Sequence, residues 1–356
     1  MLCCNDVSNP NEVADFGKDT GLVFRDAHDP VFDLYQCCSA PGEPFRRVPA
    51  EVADNTNEGV AGLALHTCGI RLRLKTDSQI IALKVKMDCG VFLMDHMPLS
   101  GSAGFDFFFY EKGEWTFFDR LTPVHNCRVF CGQRDFGEKK MRDILINFPL
   151  YNGVTSVEVG LDGDAETAPA SKYRPIAPVL YYGSSITQGG CASRPGNAYQ
   201  SMISRRFDLD FINLGFSGSA RGEDIMVDYL TTFEPSVFVC DYDHNAPTVE
   251  HLENTHYRLY SRYRAVRPNT PIIFVTKPDF DSNPEENSRR RAVVRATYDR
   301  ALEEGDKNVR FIDGETLFGD SDRSACTVDG CHPNDIGFWR MAQVIGDAVG
   351  EVLGLI

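Results

Sequence analysis

Two short stretches carry residue types suited to nucleophilic chemistry. Gly183-Ser184-Ser185-Ile186-Thr187-Gln188-Gly189 follows the apolar run Val179-Leu180-Tyr181-Tyr182. Glycine lets a backbone turn tightly at a strand end and project the next side chains. Ser185 is the expected nucleophile, with Ser184 as its near double. Towards the other end stands Asp329-Gly330-Cys331-His332-Pro333-Asn334. A carboxylate and an imidazole three residues apart reach the same side of a helical turn. The carboxylate then accepts from one ring nitrogen and leaves the other to take a hydroxyl proton. Ser185, His332 and Asp329 together predict acyl transfer through a covalent intermediate, with an ester as substrate.

Acyl transfer also needs donors for the oxygen that becomes negative. Asn213-Leu214-Gly215-Phe216-Ser217-Gly218 follows a second apolar run, and Asp241-Tyr242-Asp243-His244-Asn245 a third. A glycine N–H approaches a ligand closely, and an asparagine amide donates without titrating, so Gly218 and Asn245 are the expected oxyanion donors. His244 reads as a structural loop histidine. Taken singly, each signal has a plainer alternative. The serines are polar turn residues, Asp-x-x-His is a metal half-site or a cap, and Gly218 and Asn245 are turn formers. No Gly-x-Ser-x-Gly elbow surrounds the serine.

The elements that must position these residues fall into two rhythms. Up to about residue 170 the pattern is β. Ile70 to Lys75 alternates strictly, Asp77-Ser78 turns the chain, and Ile81, Leu83, Val85 and Met87 alternate again, which predicts a hairpin. A second hairpin is expected from Phe105–Tyr110 and Trp115–Phe118 across Glu111-Lys112-Gly113-Glu114, and a further strand over 154–161. An antiparallel β-sandwich of jelly-roll type follows. Phe107 and Trp115 are expected in its core rather than on a sugar platform. Residues 162–171 are polar, small and turn-rich and read as a linker. Beyond them apolar runs at 177–182, 210–214, 236–241, 271–276 and 309–313 alternate with helical patterns near 197–207, 222–233, 248–266, 285–304 and 335–353. Strands buried on both faces produce such runs. The expected fold is therefore α/β: a three-layer α/β/α domain with a five-stranded, doubly wound parallel sheet over residues 171–356, after an accessory β-sandwich over 1–170. Ligands bind beyond the C-terminal strand ends of such sheets, where every motif above falls.

The order serine, glycine, asparagine and Asp-x-x-His after successive strands resembles the SGNH (GDSL-type) hydrolase superfamily over roughly residues 175–354. Tyr182 to Gly189 is similar to its first block, Gly218 to the glycine of the second, Asn245 to the asparagine of the third, and Asp329 with His332 to the last. Gly183-Ser184-Ser185 stands where Gly-Asp-Ser is usual, and Asp243-His244-Asn245-Ala246 where Gly-x-Asn-Asp is usual. The resemblance implies a flavodoxin-like catalytic domain and an oxyanion hole of the Ser185 N–H, the Gly218 N–H and the Asn245 side chain. The domain order is similar to that of bacterial carbohydrate O-acetylesterases with an N-terminal β-sandwich. It implies an acetylesterase acting on sugars or oligosaccharides, without metal or organic cofactor. Arg194 and Asn197, just past the nucleophile, are the candidates for binding substrate hydroxyls. Rival readings are an acyltransferase, thioesterase or lipid esterase on the same fold, or a carbohydrate-binding protein with a silent hydrolase domain.

Composition narrows the partners. The 356 residues carry a net charge of −15, 42% apolar and 24% charged residues. A negative surface repels phosphate backbones and anionic membranes, so no nucleic acid or membrane partner is expected. Met1 to Val7 contain no basic or apolar leader segment, and no apolar run reaches membrane-spanning length. Twelve cysteines without a secretion signal predict reduced, mostly buried thiols in the cytoplasm. Cys127-x-x-x-Cys131 has no second pair at zinc spacing.

Overall fold

The computed structural model describes residues 8–278 and 280–356; residues 1–7, read above for a leader, lie outside them. The chain divides into two compact units. One comprises residues up to Arg47, Leu65–Lys172 and Ser193–Gly196, the other Val48–Ala64, Tyr173–Ala192 and Asn197–Ile356.

The first unit is built from β1 (Leu22–Asp26), β2 (Asp33–Tyr35), β3 (Arg71–Thr76), β4 (Ile80–Met87), β5 (Phe105–Glu111), β6 (Glu114–Leu121), β7 (Val129–Asp135), β8 (Arg142–Asn147), β9 (Val154–Asp162) and β10 (Thr167–Ala168). One antiparallel sheet has the order β1-β9-β4-β7, and the other β10-β3-β8-β5-β6 with β2 also against β3. Leu72, Leu74, Phe105, Phe107, Ile144 and Ile146 of the larger sheet share one core with Ile81, Leu83, Val85, Phe130, Val157 and Val159 of the smaller.

The hairpin expected between 70–75 and 81–87 does not form. β3 and β4 lie in different sheets, and the turn between them is a corner of the sandwich. The Asp162 carboxylate shapes that corner: its Oδ2 accepts from the N–H groups of Gln79 (2.8 Å) and Ile80 (3.0 Å) and from the Ser78 hydroxyl (3.0 Å). The β5–β6 hairpin forms as expected, with Lys112 and Gly113 both at positive φ (53° and 89°), as a two-residue type I′ turn requires. Phe107 is a core residue. Trp115 is half-buried outside the core, with the Arg73 guanidinium 4.8 Å from its ring centroid. The expected linker contains β10, which pairs with β3.

The second unit holds a parallel sheet of β11 (Val179–Gly183), β12 (Phe211–Gly215), β13 (Val237–Asp241), β14 (Ile272–Val275) and β15 (Val309–Ile312), in the order β12-β11-β13-β14-β15. β11, β13 and β14 are buried along their whole length, which is why they read as unbroken apolar runs. Helices Asp224–Thr231, Val249–Val266 and Pro284–Glu303 share one core cluster with sheet residues Leu180, Tyr182, Phe238 and Phe274. Helices Tyr199–Phe207 and Asp335–Val352 pack on each other, close enough that a Cβ on Gly346 would meet Ile203 Cγ1 at 3.3 Å. The layered architecture is the expected one. The short helices Ala50–Thr56 and Glu58–Leu63 are an addition: Ala53 and Val60 join the core of this unit rather than the first.

Among the described residues no disulfide joins any cysteine, and no helix is long and apolar enough to cross a membrane.

Candidate active site

β11 ends at Gly183, and the chain enters a single helical turn, Ser185–Gln188. The two serines diverge here. Ser184 caps that turn: its Oγ accepts from the Ile186 N–H at 3.1 Å, and the residue has no exposed surface. Ser185 is 5% exposed, and its Oγ lies 2.9 Å from His332 Nε2.

His332 comes from a tight loop closed by the Thr327–Pro333 bridge, and Val328 N–H donates to the His332 carbonyl at 3.0 Å. Asp329 organises that loop from inside. Its Oδ1 accepts from the N–H groups of Cys331 (3.0 Å) and His332 (2.7 Å), while Oδ2 lies 2.7 Å from His332 Nδ1. Partial burial opposes ionisation of this carboxyl, but the His332 N–H, the imidazole and the Cys331 N–H outweigh it and bring its pKa down to about 2. An ionised Asp329 accepts only, so Nδ1 carries the proton and the Nε2 lone pair faces Ser185 Oγ.

Two contacts bring the loops together. Cys191 N–H donates to the Pro333 carbonyl at 2.9 Å, joining the segment after Ser185 to the histidine loop. Asn334 caps the helix Asp335–Val352 by accepting from Ile336 and Gly337, and its amide donates to the Ala325 carbonyl. The Asn197 amide donates to Asp335 Oδ2 at 2.9 Å. That bond braces the start of the helix. Arg194 belongs to the first unit, where its guanidinium lies 3.6 Å from the centroid of Phe117.

The expected oxyanion donors sit on loops after β12 and β13. Gly218 is at φ 65°, and Arg221 Nη2 fixes its peptide by donating to its carbonyl at 3.1 Å. Asn245 ends a one-turn 3-10 segment, Asp243–Asn245, and its Nδ2 donates to the Phe216 carbonyl at 2.8 Å, which ties the two loops. An amide nitrogen has two hydrogens. Arg290 Nη1 clamps the chain on both sides of Asn245, donating to the carbonyls of Asp243 (2.6 Å) and Ala246 (2.8 Å). His244 pairs through Nδ1 with Asp243 Oδ1 at 3.2 Å, in keeping with a structural role. Cys191 Sγ lies within 4.8 Å of a His332 ring nitrogen.

A polar layer beneath Ser185 was not anticipated from the sequence. Asp241, the last residue of β13, is buried and accepts from the hydroxyls of Thr187 and Tyr199 and from the Ser184 N–H. The Asn213 and Gln200 amides both donate to the Thr187 carbonyl, and Gln188 Oε1 accepts from the Ser217 N–H. The available signal was a carboxylate closing an otherwise apolar run, Val237-Phe238-Val239-Cys240-Asp241.

Comparison with known proteins agrees with this architecture. Residues 176–349 match the model of the GDSL-like lipase/acylhydrolase family, and residues 24–167 that of the N-terminal region of SGNH-hydrolase-type esterases. No curated protein matches the chain. Among solved structures, a Bacteroides ovatus protein assigned as a GDSL-like lipase superposes with a TM-score of 0.84 at 26% identity, over 94% of this chain and 98% of that one. The salicylyl-acyltransferase SsfX3 of a tetracycline biosynthetic pathway gives 0.73 at 18%, over 94% and 98%. A family two carbohydrate esterase from Clostridium thermocellum, in complex with cellohexaose, gives 0.64 at 14%, over 94% and 100%. The last two show a shared fold. With both family models matched in their proper order along the chain, this protein belongs to the SGNH (GDSL-type) hydrolase superfamily.

Proposed function

We propose that this protein is a serine esterase that removes short acyl groups, acetyl above all, from sugars or oligosaccharides. The observation that carries the reading is the unbroken chain of contacts from Ser185 Oγ to His332 Nε2 (2.9 Å) and from His332 Nδ1 to Asp329 Oδ2 (2.7 Å). His332 Nε2 takes the Ser185 proton as Oγ attacks the ester carbonyl. The resulting oxyanion is met by the Ser185 N–H, the Gly218 N–H and the second amide hydrogen of Asn245. Asp329 stabilises the imidazolium, which then protonates the departing sugar hydroxyl. Water, activated by the same imidazole, releases the acid from Oγ.

The sugar assignment draws support from two sides. The solved carbohydrate esterase of the same fold is complexed with cellohexaose, and a net charge of −15 favours uncharged substrates over anionic ones. The cysteine-rich chain, without a disulfide among its described residues, supports a reducing, cytoplasmic setting. Residues 1–170 are assigned an accessory role and 171–356 the chemistry.

The test is Ser185→Ala on a panel of acetylated sugars and synthetic esters of graded acyl length. Turnover is expected to vanish, labelling by a serine-directed phosphonate to be lost with it, and the wild type to prefer acetyl. Full esterase activity in the alanine variant removes the nucleophile assignment, and a preference for long acyl chains removes the acetylesterase. Faster product formation on adding a second alcohol points to acyl transfer.

A further inference from the structure

The proposed reaction makes no use of Asp241, yet the local structure is arranged around it. Asp241 is the ladder partner of Gly183 at the end of β13 and is 5% exposed. Its Oδ1 accepts from the Thr187 hydroxyl and, at 3.4 Å, from the Ser184 N–H; its Oδ2 accepts from the Tyr199 hydroxyl at 3.2 Å. The donors belong to the nucleophile turn on one side and to the helix Tyr199–Phe207 on the other. A Cβ on Gly183 would fall 1.9 Å from Oδ1 and 2.2 Å from Thr187 Oγ1. The glycine before the serines therefore makes room for the carboxylate as well as for the turn.

A buried carboxylate is a poor choice for stability alone. Burial pushes its pKa up to about 6, although the Thr187 hydroxyl, the His244 imidazole and the Ser184 N–H favour the ionised form; Asp243 works against it. The groups that face it are thus Asp243 and His244 from its own loop, the Tyr199 phenol from the neighbouring helix, and the neutral hydroxyl and N–H of the nucleophile turn. A turn of four residues has too few internal hydrogen bonds to hold itself. An acceptor beneath it supplies the missing tether.

We propose that Asp241 is a positioning residue for the nucleophile: it anchors Ser184 and Thr187 so that the Ser185 hydroxyl stays in reach of His332 and the Ser185 N–H stays aimed at the developing oxyanion. The inference rests on the assignment of Ser185 as nucleophile. Misplacing a reacting group by a fraction of its bond-forming distance is expected to lower kcat about 10–100-fold.

The experiment compares Asp241→Asn, Thr187→Val, Thr187→Ser and Ser185→Ala in the full chain, with a synthetic acetate ester across the pH range and with thermal melts. The expected result is a fall in kcat of about 10–100-fold in Asp241→Asn and Thr187→Val at unchanged KM, with Thr187→Ser close to wild type. The acid limb of kcat loses one ionisation in Asp241→Asn, and the melting temperature at neutral pH does not drop. Unchanged kcat and pH profile in Asp241→Asn overturn the inference, as does a loss that follows the melting temperature in all three Asp241 and Thr187 variants. If Asp241→Asn does not fold, the Thr187 pair decides: equal activity of valine and serine overturns it. Persistent activity in Ser185→Ala sinks the nucleophile itself, whereas a dead Ser185→Ala beside a normal Asp241→Asn sinks only the role of Asp241.

Discussion

Asp329→Asn asks most directly whether the three side chains work as a unit. In the structure the two carboxylate oxygens have separate tasks. Oδ1 holds the loop through the N–H groups of Cys331 and His332, and Oδ2 faces His332 Nδ1 at 2.7 Å. An asparagine that keeps Oδ1 on the backbone turns its amide nitrogen towards the ring. Nδ1 must then accept, the proton moves to Nε2, and a donor instead of a lone pair faces Ser185 Oγ. The base is lost while the loop survives. Reversal of the tautomer in triads of this kind is worth about 10³–10⁴ in kcat, or about 4–5.5 kcal/mol at about 1.36 kcal/mol per tenfold. Asp329→Ala removes both oxygens, the loop anchor Oδ1 among them, without imposing the wrong tautomer. Because Asp329 is exposed, water can take its place beside Nδ1, so an alanine variant whose loop stays in place is expected to keep more activity than the asparagine one. Steady-state kinetics on an acetate ester measure both, with circular dichroism to confirm the fold. An asparagine variant within tenfold of wild type refutes the tautomer argument; an alanine variant below the asparagine one shows that the Oδ1 anchor of the loop outweighs the tautomer.

What the sequence revealed depended on whether the cause of a feature lies in the residue itself or in a distant partner. The parallel sheet was legible because burial on both faces leaves continuous apolar runs, and β11 to β15 fall within two residues of those runs. Ser185, Asp329 and His332 were legible because type and spacing already restrict their chemistry. The choice between Ser184 and Ser185 depends on a cap bond to Ile186. Alternation announced β3 and β4 as strands but held no information on which sheet receives each, and the hairpin expectation failed there. The bond from the Asn197 amide to Asp335, 138 residues away, left no mark in the sequence. Residues 48–64 joined the second unit through small apolar contacts such as Ala53 and Val60, which mark no particular neighbour. Asp241 read as the polar end of a strand because the groups that need it, Thr187 and Tyr199, lie 54 and 42 residues earlier.

Three further outcomes are expected. Asn245→Ala is expected to lower kcat about 10²–10³-fold with little change in KM, since an oxyanion donor acts mainly in the transition state; a change confined to KM refutes that role. Gly183→Ala is expected to yield little folded protein, because its methyl would overlap Asp241 Oδ1 at 1.9 Å; normal expression and activity contradict the packing described. The pH dependence of stability offers a last check on Asp241. Its pKa rises from the ordinary 3.8 to about 6 on folding, so between those values the folded chain keeps a proton that the unfolded chain has released. Stability must therefore fall as pH rises through this window, by at most about 3 kcal/mol for about two units. Asparagine does not titrate, so Asp241→Asn is expected to flatten that part of the curve and to melt no lower than wild type at pH 8. A variant that retains the slope would show that another group produces it, and one that melts well below wild type would show that the carboxylate stabilises the fold rather than burdening it.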